Sequence, residues 1–314
     1  MLPMTIEVVA ARPRLRRGSP ADCTPAPPSF RTAESEMLTL LVCSPIDHEC
    51  DPGASLPTPP KYAPIAVTRK VSSAMTRCEL THLRRTPIDV ALAREQHHAY
   101  EQTLGTLGWR IESLAEEPEL ADSVFVEDTA VVLDEVAVIT RPGAPSRRAE
   151  TASIAAVLGR YRELVRIESP GTLDGGDVLR EGSSVYVGTS SRSNATGIEQ
   201  LGALLLPFGY RVLPVAVQGC LHLKSAVTQV SGDALLINPR QLDRKQFPGM
   251  RFIEVDEAEP AGANALLLGA EVIYSSSYPR TADVLRRHGI RVHTVEMTET
   301  EKAEGAVTCC SLLL

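Results

Sequence analysis

The sequence predicts an α/β fold, a five-bladed α/β propeller built from five ββαβ units around a pseudo-fivefold axis. Three observations carry this. A hairpin, a helical stretch and a third strand follow one another repeatedly from about residue 62 onward. The hairpins begin near residues 131, 178, 226 and 266, with a last strand near 306, and a period of roughly 40–48 residues marks a radial or solenoid repeat. The fifth unit is split between the two ends of the repeating region. Pairing of its N- and C-terminal strands would close the ring and remove the sheet edges that an open array must protect.

In chain order, 65–71 reads as a strand, 88–107 as a helix and 109–114 as a further strand; these belong to the split unit. Strands 131–133 and 136–139 flank Asp134 and Glu135, followed by an amphipathic stretch 146–161 and strand 164–167. Strands 178–179 and 185–187 flank a Gly-Ser turn, with helix 197–206 and strand 211–215 after them. Strands 226–230 and 234–237 flank Ser231, Gly232 and Asp233, and a short helical segment leads to strand 252–255. Strands 266–268 and 272–274 flank Gly269 and Ala270, with helix 280–288 and strand 291–295 following. The segment 307–314 completes the split unit as its terminal strand.

Residues 1–60 differ from the rest. Twelve of the 23 prolines fall within the first 64 residues. Such a stretch cannot bury enough apolar area to offset its chain entropy, so 1–60 is expected to be a disordered, Pro-rich N-terminal extension and 61–314 the propeller domain. Arg12, Arg14, Arg16 and Arg17 resemble a transit peptide only weakly, and no apolar core of a signal sequence is present.

Composition narrows the function classes. Among 314 residues, 32 Lys and Arg stand against 39 Asp and Glu, a net charge of −7, with no basic stripe to bind nucleic acid. Apolar residues make up 43% and aromatic ones 4%, so the core is expected to be aliphatic. The longest apolar runs, 201–206 and 265–268, are far shorter than the ~18 residues that cross a bilayer. Seven cysteines are too sparse for a disulfide scaffold and lack zinc-site spacing. The expectation is a cytoplasmic protein with reduced thiols, no metal and no organic cofactor.

Glu127 and Asp128 lie three to four residues before the hairpin strand at 131. Asp174 lies four before 178, His222 four before 226, and Cys309 falls in the terminal strand. Ionisable groups at one phase of successive repeats converge on the axis, which gathers carboxylates, an imidazole and a thiol around one pocket. Taken singly, each has an ordinary structural explanation: a small core thiol, a hydrogen-bonded core histidine, turn acids. Strand alternation would also send Glu127 and Asp128 to opposite faces unless the backbone turns there. The conjunction favours function. Cys78 and Cys220 read as structural thiols, His97 and His98 as solvated residues on the polar side of a helix, and 280–287 as a basic helix face.

The segments Asp122-Ser-Val-Phe-Val-Glu-Asp128, Ile139-Thr-Arg-Pro-Gly-Ala-Pro-Ser-Arg-Arg148, Thr172-Leu-Asp-Gly-Gly-Asp177, Leu221-His-Leu-Lys224 and Thr308-Cys-Cys-Ser311 closely resemble the dimethylarginine dimethylaminohydrolases. The resemblance runs in order from about residue 65 to 314. It implies the five-fold propeller of the pentein, or guanidino-modifying, superfamily and hydrolysis of Nω-methylated arginines to citrulline and a methylamine. By this resemblance Cys309 is the nucleophile, His222 the general acid and base, and Asp174 the acid that holds the imidazole. Glu127 and Asp128 correspond to guanidinium-binding carboxylates, Arg147 and Arg192 to the α-carboxylate site, and Asp122 to an acid near the α-amine. Leu80, Phe125, Ala303 and Glu304 fall on the pocket wall; Glu304 stands where the family carries Asp, and Ala303 where it carries a branched residue. The implied partner is a small guanidino substrate, for a monomer or homodimer. Two other readings stay open: another guanidino hydrolase or amidinotransferase such as an arginine deiminase, and a non-catalytic propeller like the ribosomal anti-association factor.

Overall fold

The computed structural model describes residues 64–314; the extension expected over 1–60 lies outside the described residues. Fifteen strands form five three-stranded sheets. The split unit combines β1 (Ile65–Arg69), helix α1 (Val90–Thr106) and β2 (Arg110–Leu114) with the last strand, β15 (Leu312–Leu313). The second contains β3 (Ala130–Val132), β4 (Val136–Ile139), α2 (Thr151–Leu158) and β5 (Glu163–Arg166). The third contains β6 (Val178–Glu181), β7 (Ser184–Thr189), α3 (Ala195–Leu205) and β8 (Arg211–Ala216). The fourth contains β9 (Val227–Gln229), β10 (Ala234–Ile237) and β11 (Arg251–Glu254), and the fifth β12 (Ala265–Leu268), β13 (Glu271–Ser275), α4 (Pro279–Arg287) and β14 (Arg291–Val295).

In every unit the middle strand pairs antiparallel with an inner strand and parallel with an outer one. A parallel pair cannot be joined by a tight turn, so a crossover must run back along the sheet. Helices α1 to α4 are these crossovers, and the fourth unit manages with a single 3-10 turn at Arg244–Gln246. Asp89 caps α1 by accepting from the amides of Ala91 and Leu92, and Asn194 caps α3 through the amide of Gly197, satisfying donors that a helix start leaves unpaired.

The ring closes where β1 pairs antiparallel with β15, in the register Ala66 to Leu313 and Val67 to Leu312. The five inner strands β3, β6, β9, β12 and β15 line one axial cavity of about 260 Å³. Packing between units is aliphatic: Val136, Val138, Val185, Val187 and Leu201 are fully buried between the second and third. Among the described residues no helix is long and apolar enough to cross a membrane.

Two local expectations change. The terminal strand is only two residues long, and Cys309 lies in the turn ahead of it. The amide of Cys309 donates to the carbonyl of Ala306, and buried Tyr100 of α1 donates to the carbonyl of Val307 at 2.9 Å and meets Ser311 Oγ at 2.7 Å. These bonds fold the chain out of strand geometry. His97, expected on a solvated face, is buried with Glu101 3.5 Å away; His98 is exposed. Helix α1 is covered by the 298–307 segment on one side and its own sheet on the other, so more of its circumference is dry than a single apolar stripe suggests.

Closure yields a stability prediction. Leu312, 5% exposed, should cost about 2–4 kcal/mol on replacement by alanine because a core cavity is left, whereas Leu206→Ala, at 72% exposure, should cost under about 0.5 kcal/mol. Urea unfolding of the two variants checks this.

Candidate active site

Each inner strand is preceded by a tight turn or loop on the same side of the ring, and these segments carry the polar groups. The 3-10 turn Val126–Thr129 precedes β3, Gly175–Asp177 precedes β6, Leu223–Ser225 precedes β9, and the turn at 306–310 precedes β15. The fifth unit contributes Asn264, immediately before β12. Its Oδ1 accepts from the amide of Thr308 at 3.1 Å, and its Nδ2 donates to Thr308 Oγ1 and the Lys224 carbonyl at 3.0 Å each. Asn264 therefore ties the cysteine turn to the histidine turn. It does not ionise, and a search for titratable groups passes over it.

His222 is the centre of the charged cluster. Its Nε2 lies 3.0 Å from Asp174 Oδ2 and its Nδ1 3.8 Å from Asp128 Oδ1. Asp174 is fully buried and accepts from the amide of Gly143 at 2.9 Å. Asp128 accepts from Arg147 Nη1 at 2.5 Å and from the amide of Gly176 at 3.0 Å. A Cβ at Gly176 would sit 2.6 Å from the His222 ring, and one at Gly175 only 2.0 Å from the Glu127 carbonyl; the Gly-Gly pair is what lets the turns meet. Asp177, also in this motif, accepts from the amide of Leu223 at 2.9 Å and from the hydroxyls of Ser190 and Ser193, holding the histidine turn from behind.

The electrostatics follow from this packing. Burial opposes the imidazolium of His222, but the charge of Asp128, the bond to Asp174 and the charge of Asp177 outweigh it and push the pKa up to about 9. Asp128 also resists burial, and the positive charges of His222 and Arg147 hold it well below the usual carboxylate range. Cys309 moves the other way. Burial, then the negative charges of Glu127 and Asp128, raise its thiol far above the ordinary range. At neutral pH the empty site holds an imidazolium and a neutral thiol.

Of the twelve residues singled out from the sequence, nine line one small cavity: Asp122, Phe125, Asp128, Arg147, Arg192, His222, Ala303, Glu304 and Cys309. Its volume is about 20 Å³, room for little more than one water. Asp174 stands behind His222. Leu80 is half-buried on the segment that crosses the site, packed against the core of the split unit. Glu127 turns away from its neighbour. It pairs with Lys224 at 2.6 Å and accepts from Thr308 Oγ1 at 2.8 Å, and with Lys224 and Thr308 it lines the axial cavity. This trio, close in sequence to Asp128, His222 and Cys309 but facing the axial cavity, is an ion-pair network that residue spacing alone does not reveal.

The basic residues are also committed. Arg147 is buried and donates to Asp128, to Glu150 at 2.8 Å, and to the carbonyls of Asp122 and Phe125. That leaves one Nη1 hydrogen of its five N–H groups. The pairing arises because Arg147 and Glu150 sit three apart in the 3-10 turn Pro145–Glu150, where such positions eclipse; the amphipathic stretch expected over 146–161 becomes this turn plus α2. Glu150 is pushed up to about 7, burial outweighing the opposing pull of Arg147. Arg192 Nη2 donates to Thr81 Oγ1 at 3.0 Å. Asp122, whose pKa is raised by burial against the pull of Arg147, accepts from the amide of Glu79 at 3.0 Å.

Asp128, Asp174 and His222 offer three potential metal-ligand atoms within 4.8 Å of one another. Two are already bonded to each other and Asp128 is held by Arg147, so the set is spent on a proton-bearing network. A half-buried thiol, an imidazolium and carboxylates thus meet at one cavity, an arrangement suited to cysteine-based chemistry on cationic substrates.

Comparison with known proteins agrees with that class. No family model matches the chain. It is 42% identical over 252 residues to the N(G),N(G)-dimethylarginine dimethylaminohydrolase of Streptomyces coelicolor, covering 79% of this chain and 96% of that one. Identity to the enzyme of the same name from Pseudomonas aeruginosa is 38% over 226 residues, 71% of this chain and 89% of the relative. A structure of the Pseudomonas aeruginosa enzyme, a cysteine-to-serine mutant complexed with citrulline, superposes with a TM-score of 0.77 at 34% identity, covering 80% of this chain and 99% of that one. The chain belongs to the dimethylarginine dimethylaminohydrolase family, and its fold is that of the penteins.

The raised pKa of His222 makes a stability prediction. A folded-state pKa near 9 against an ordinary 6.5 gives stabilisation that is complete below about pH 6.5 and lost as pH rises through 9, about 3 kcal/mol in all. Urea unfolding at pH 6.5 and 9.5 should show that fall, and His222→Gln should show a smaller one.

Proposed function

We propose that this protein hydrolyses Nω-methylated L-arginine, asymmetric dimethylarginine and monomethylarginine, to L-citrulline and dimethylamine or methylamine. The observation that carries this reading is the meeting of Cys309, His222 and Asp128 at one cavity that is anionic at its floor.

A guanidinium is planar, permanently cationic and a poor electrophile. Asp128 grips its N–H edge and fixes the carbon opposite Cys309. The same event neutralises the negative field that keeps the thiol protonated. Cys309 then loses its proton to solvent, since His222 already carries one, and the thiolate attacks the guanidinium carbon. A C–S bond forms; the C–N bond to the methylated nitrogen breaks as His222 delivers its proton to the departing amine. The thiouronium adduct is attacked by water, whose proton passes to the now neutral His222. Collapse breaks the C–S bond, leaving citrulline and the thiol. Asp174 orients the imidazole throughout, as the third member of a triad does.

At the other end of the substrate, Asp122 takes the α-ammonium and Arg192 the α-carboxylate. Arg147 contributes its one free N–H there and otherwise braces Asp128. Glu127 acts indirectly, through its field at Cys309. We take the protein to be cytoplasmic and a monomer or homodimer. Its four described cysteines, Cys78, Cys220, Cys309 and Cys310, are all free.

Purified protein incubated separately with asymmetric dimethylarginine, monomethylarginine and arginine should form citrulline with dimethylamine or methylamine from the first two. Cys309→Ser should reduce the rate at least about a thousandfold. Citrulline and ammonia from arginine alone would make it a deiminase, and no citrulline from any of the three would sink the reading.

A further inference from the structure

Residues 79–85 run as a strap past the catalytic cavity, and its polar ties are unevenly placed. The amide of Glu79 donates to Asp122 Oδ2 at 3.0 Å, and Thr81 Oγ1 accepts from Arg192 at 3.0 Å. These two partners are the groups assigned above to the substrate's α-ammonium and α-carboxylate. In this structure the strap occupies them. Glu79 and the strap's partners Asp122, Arg192 and Glu304 all line the cavity of about 20 Å³, which is too small for an arginine, so taking one requires these ties to part, and the substrate's charged ends can displace the first two by direct exchange.

Ser146 Oγ also donates to Glu79 at 2.6 Å, and Arg85 donates to the carbonyls of Thr76 and Cys78 at 2.7 and 2.5 Å; the tie at the middle of the strap is different. Glu304 accepts from three successive strap amides: Thr81 N to Oε2 at 2.9 Å, and His82 N and Leu83 N to Oε1 at 2.5 and 2.6 Å. Glu304 is also the one non-glycine residue at positive φ among the described residues, at 59°, a left-handed conformation rare for such side chains. Strained backbone persists where surrounding contacts over-determine it, and here three hydrogen bonds to a carboxylate do so. Both oxygens are engaged by the strap, so three of the roughly four acceptor sites of the Glu304 carboxylate are taken while the strap is down.

We propose that Glu304 is a positioning residue that latches the 79–85 strap beside the cavity it shares with Cys309, so that release of this latch widens access to the half-buried thiol. The substrate is the key that competes for Asp122 and Arg192, while the Glu304 latch resists until the strap lifts. The identity of the opening ligand rests on the proposed function; the latch itself does not. It lies five residues before Cys309 on the same segment, so strap position and nucleophile turn are coupled through 304–309. The extra methylene of Glu over Asp gives the carboxylate its reach to amides 81–83.

The test is the rate at which iodoacetamide alkylates Cys309, read by mass spectrometry of the peptide. Native protein, Glu304→Gln and Glu304→Asp are compared at two pH values, so that access is separated from thiol titration. Buried Cys310, distinguished by fragmentation, reports unfolding. Glu304→Gln should raise the Cys309 rate at least tenfold at both pH values with Cys310 unlabelled, and Glu304→Asp should give an intermediate rise. A Cys309 rate within twofold of native in Glu304→Gln overturns the latch. If that variant labels Cys310 as fast as Cys309, Glu304→Asp decides: a threefold selective rise supports the latch and none overturns it. A selective rise in a protein that forms no citrulline would overturn the proposed hydrolysis and leave the latch standing.

Discussion

The buried carboxylate of Asp128 is the interaction on which the site depends. It binds Arg147 from the second unit and the amide of Gly176 from the third, and it sits within 4 Å of His222 from the fourth. A charge in so dry a place is tolerated only when paired and hydrogen-bonded. Its partners come from three different blades, so the ring must be assembled before the carboxylate is satisfied. Structure and reactivity are therefore linked: the charges that hold the blades' loops together also keep the imidazole protonated and the thiol neutral. The anionic floor disfavours a thiolate, and a cation bound on that floor offsets the penalty.

A second consequence of the ring is a space along its axis. Five inner strands leave a cavity of about 260 Å³, and a catalyst that forms a covalent adduct gains from controlling which water reaches it. The Glu127–Lys224 pair and Thr308 line the axial cavity and not the catalytic one, and Asn264 holds Thr308 in place. Glu127 is thus close enough to influence Cys309 without lining the catalytic cavity. The strap lies beside the catalytic cavity and is tied there by hydrogen bonds to the carboxylates of Asp122 and Glu304.

Much of this was legible in the sequence. The repeat spacing gave the five units, and the split unit required pairing of the terminal strands, because an unpaired β1 would present an open edge. The shared phase of Asp128, Asp174, His222 and Cys309 located the pocket, since pseudo-symmetry maps equal phases to one axis. What stayed hidden depended on backbone direction. Glu127 and Asp128 are neighbours in a 3-10 turn, and adjacency does not say which faces the cation. The apolar neighbours of Cys309 predict a strand, yet bonds from Tyr100 and Asn264, each more than 40 residues away, fold that segment into a turn. Glu304 stood out as a departure from Asp, but its left-handed φ, and hence its aim at the strap, is set by tertiary contacts. His97 is buried on the side of α1 that faces Val71, Glu101 and Ala115 of the split unit, while Gln96 and Tyr100 meet the distant 298–307 segment, so α1 is dry on two sides.

The central claim is that burial and the anionic floor together hold the Cys309 thiol protonated. Titration of the Cys309 thiolate by its ultraviolet absorbance, taken as the difference from Cys309→Ser, tests it in the native protein and in Asp128→Asn. The account predicts a native midpoint above the ordinary thiol value of about 8.5 and a midpoint at least about one unit lower in the variant, as one nearby negative charge is removed. A native midpoint at or below the ordinary value, or one that Asp128→Asn leaves unmoved, would contradict it.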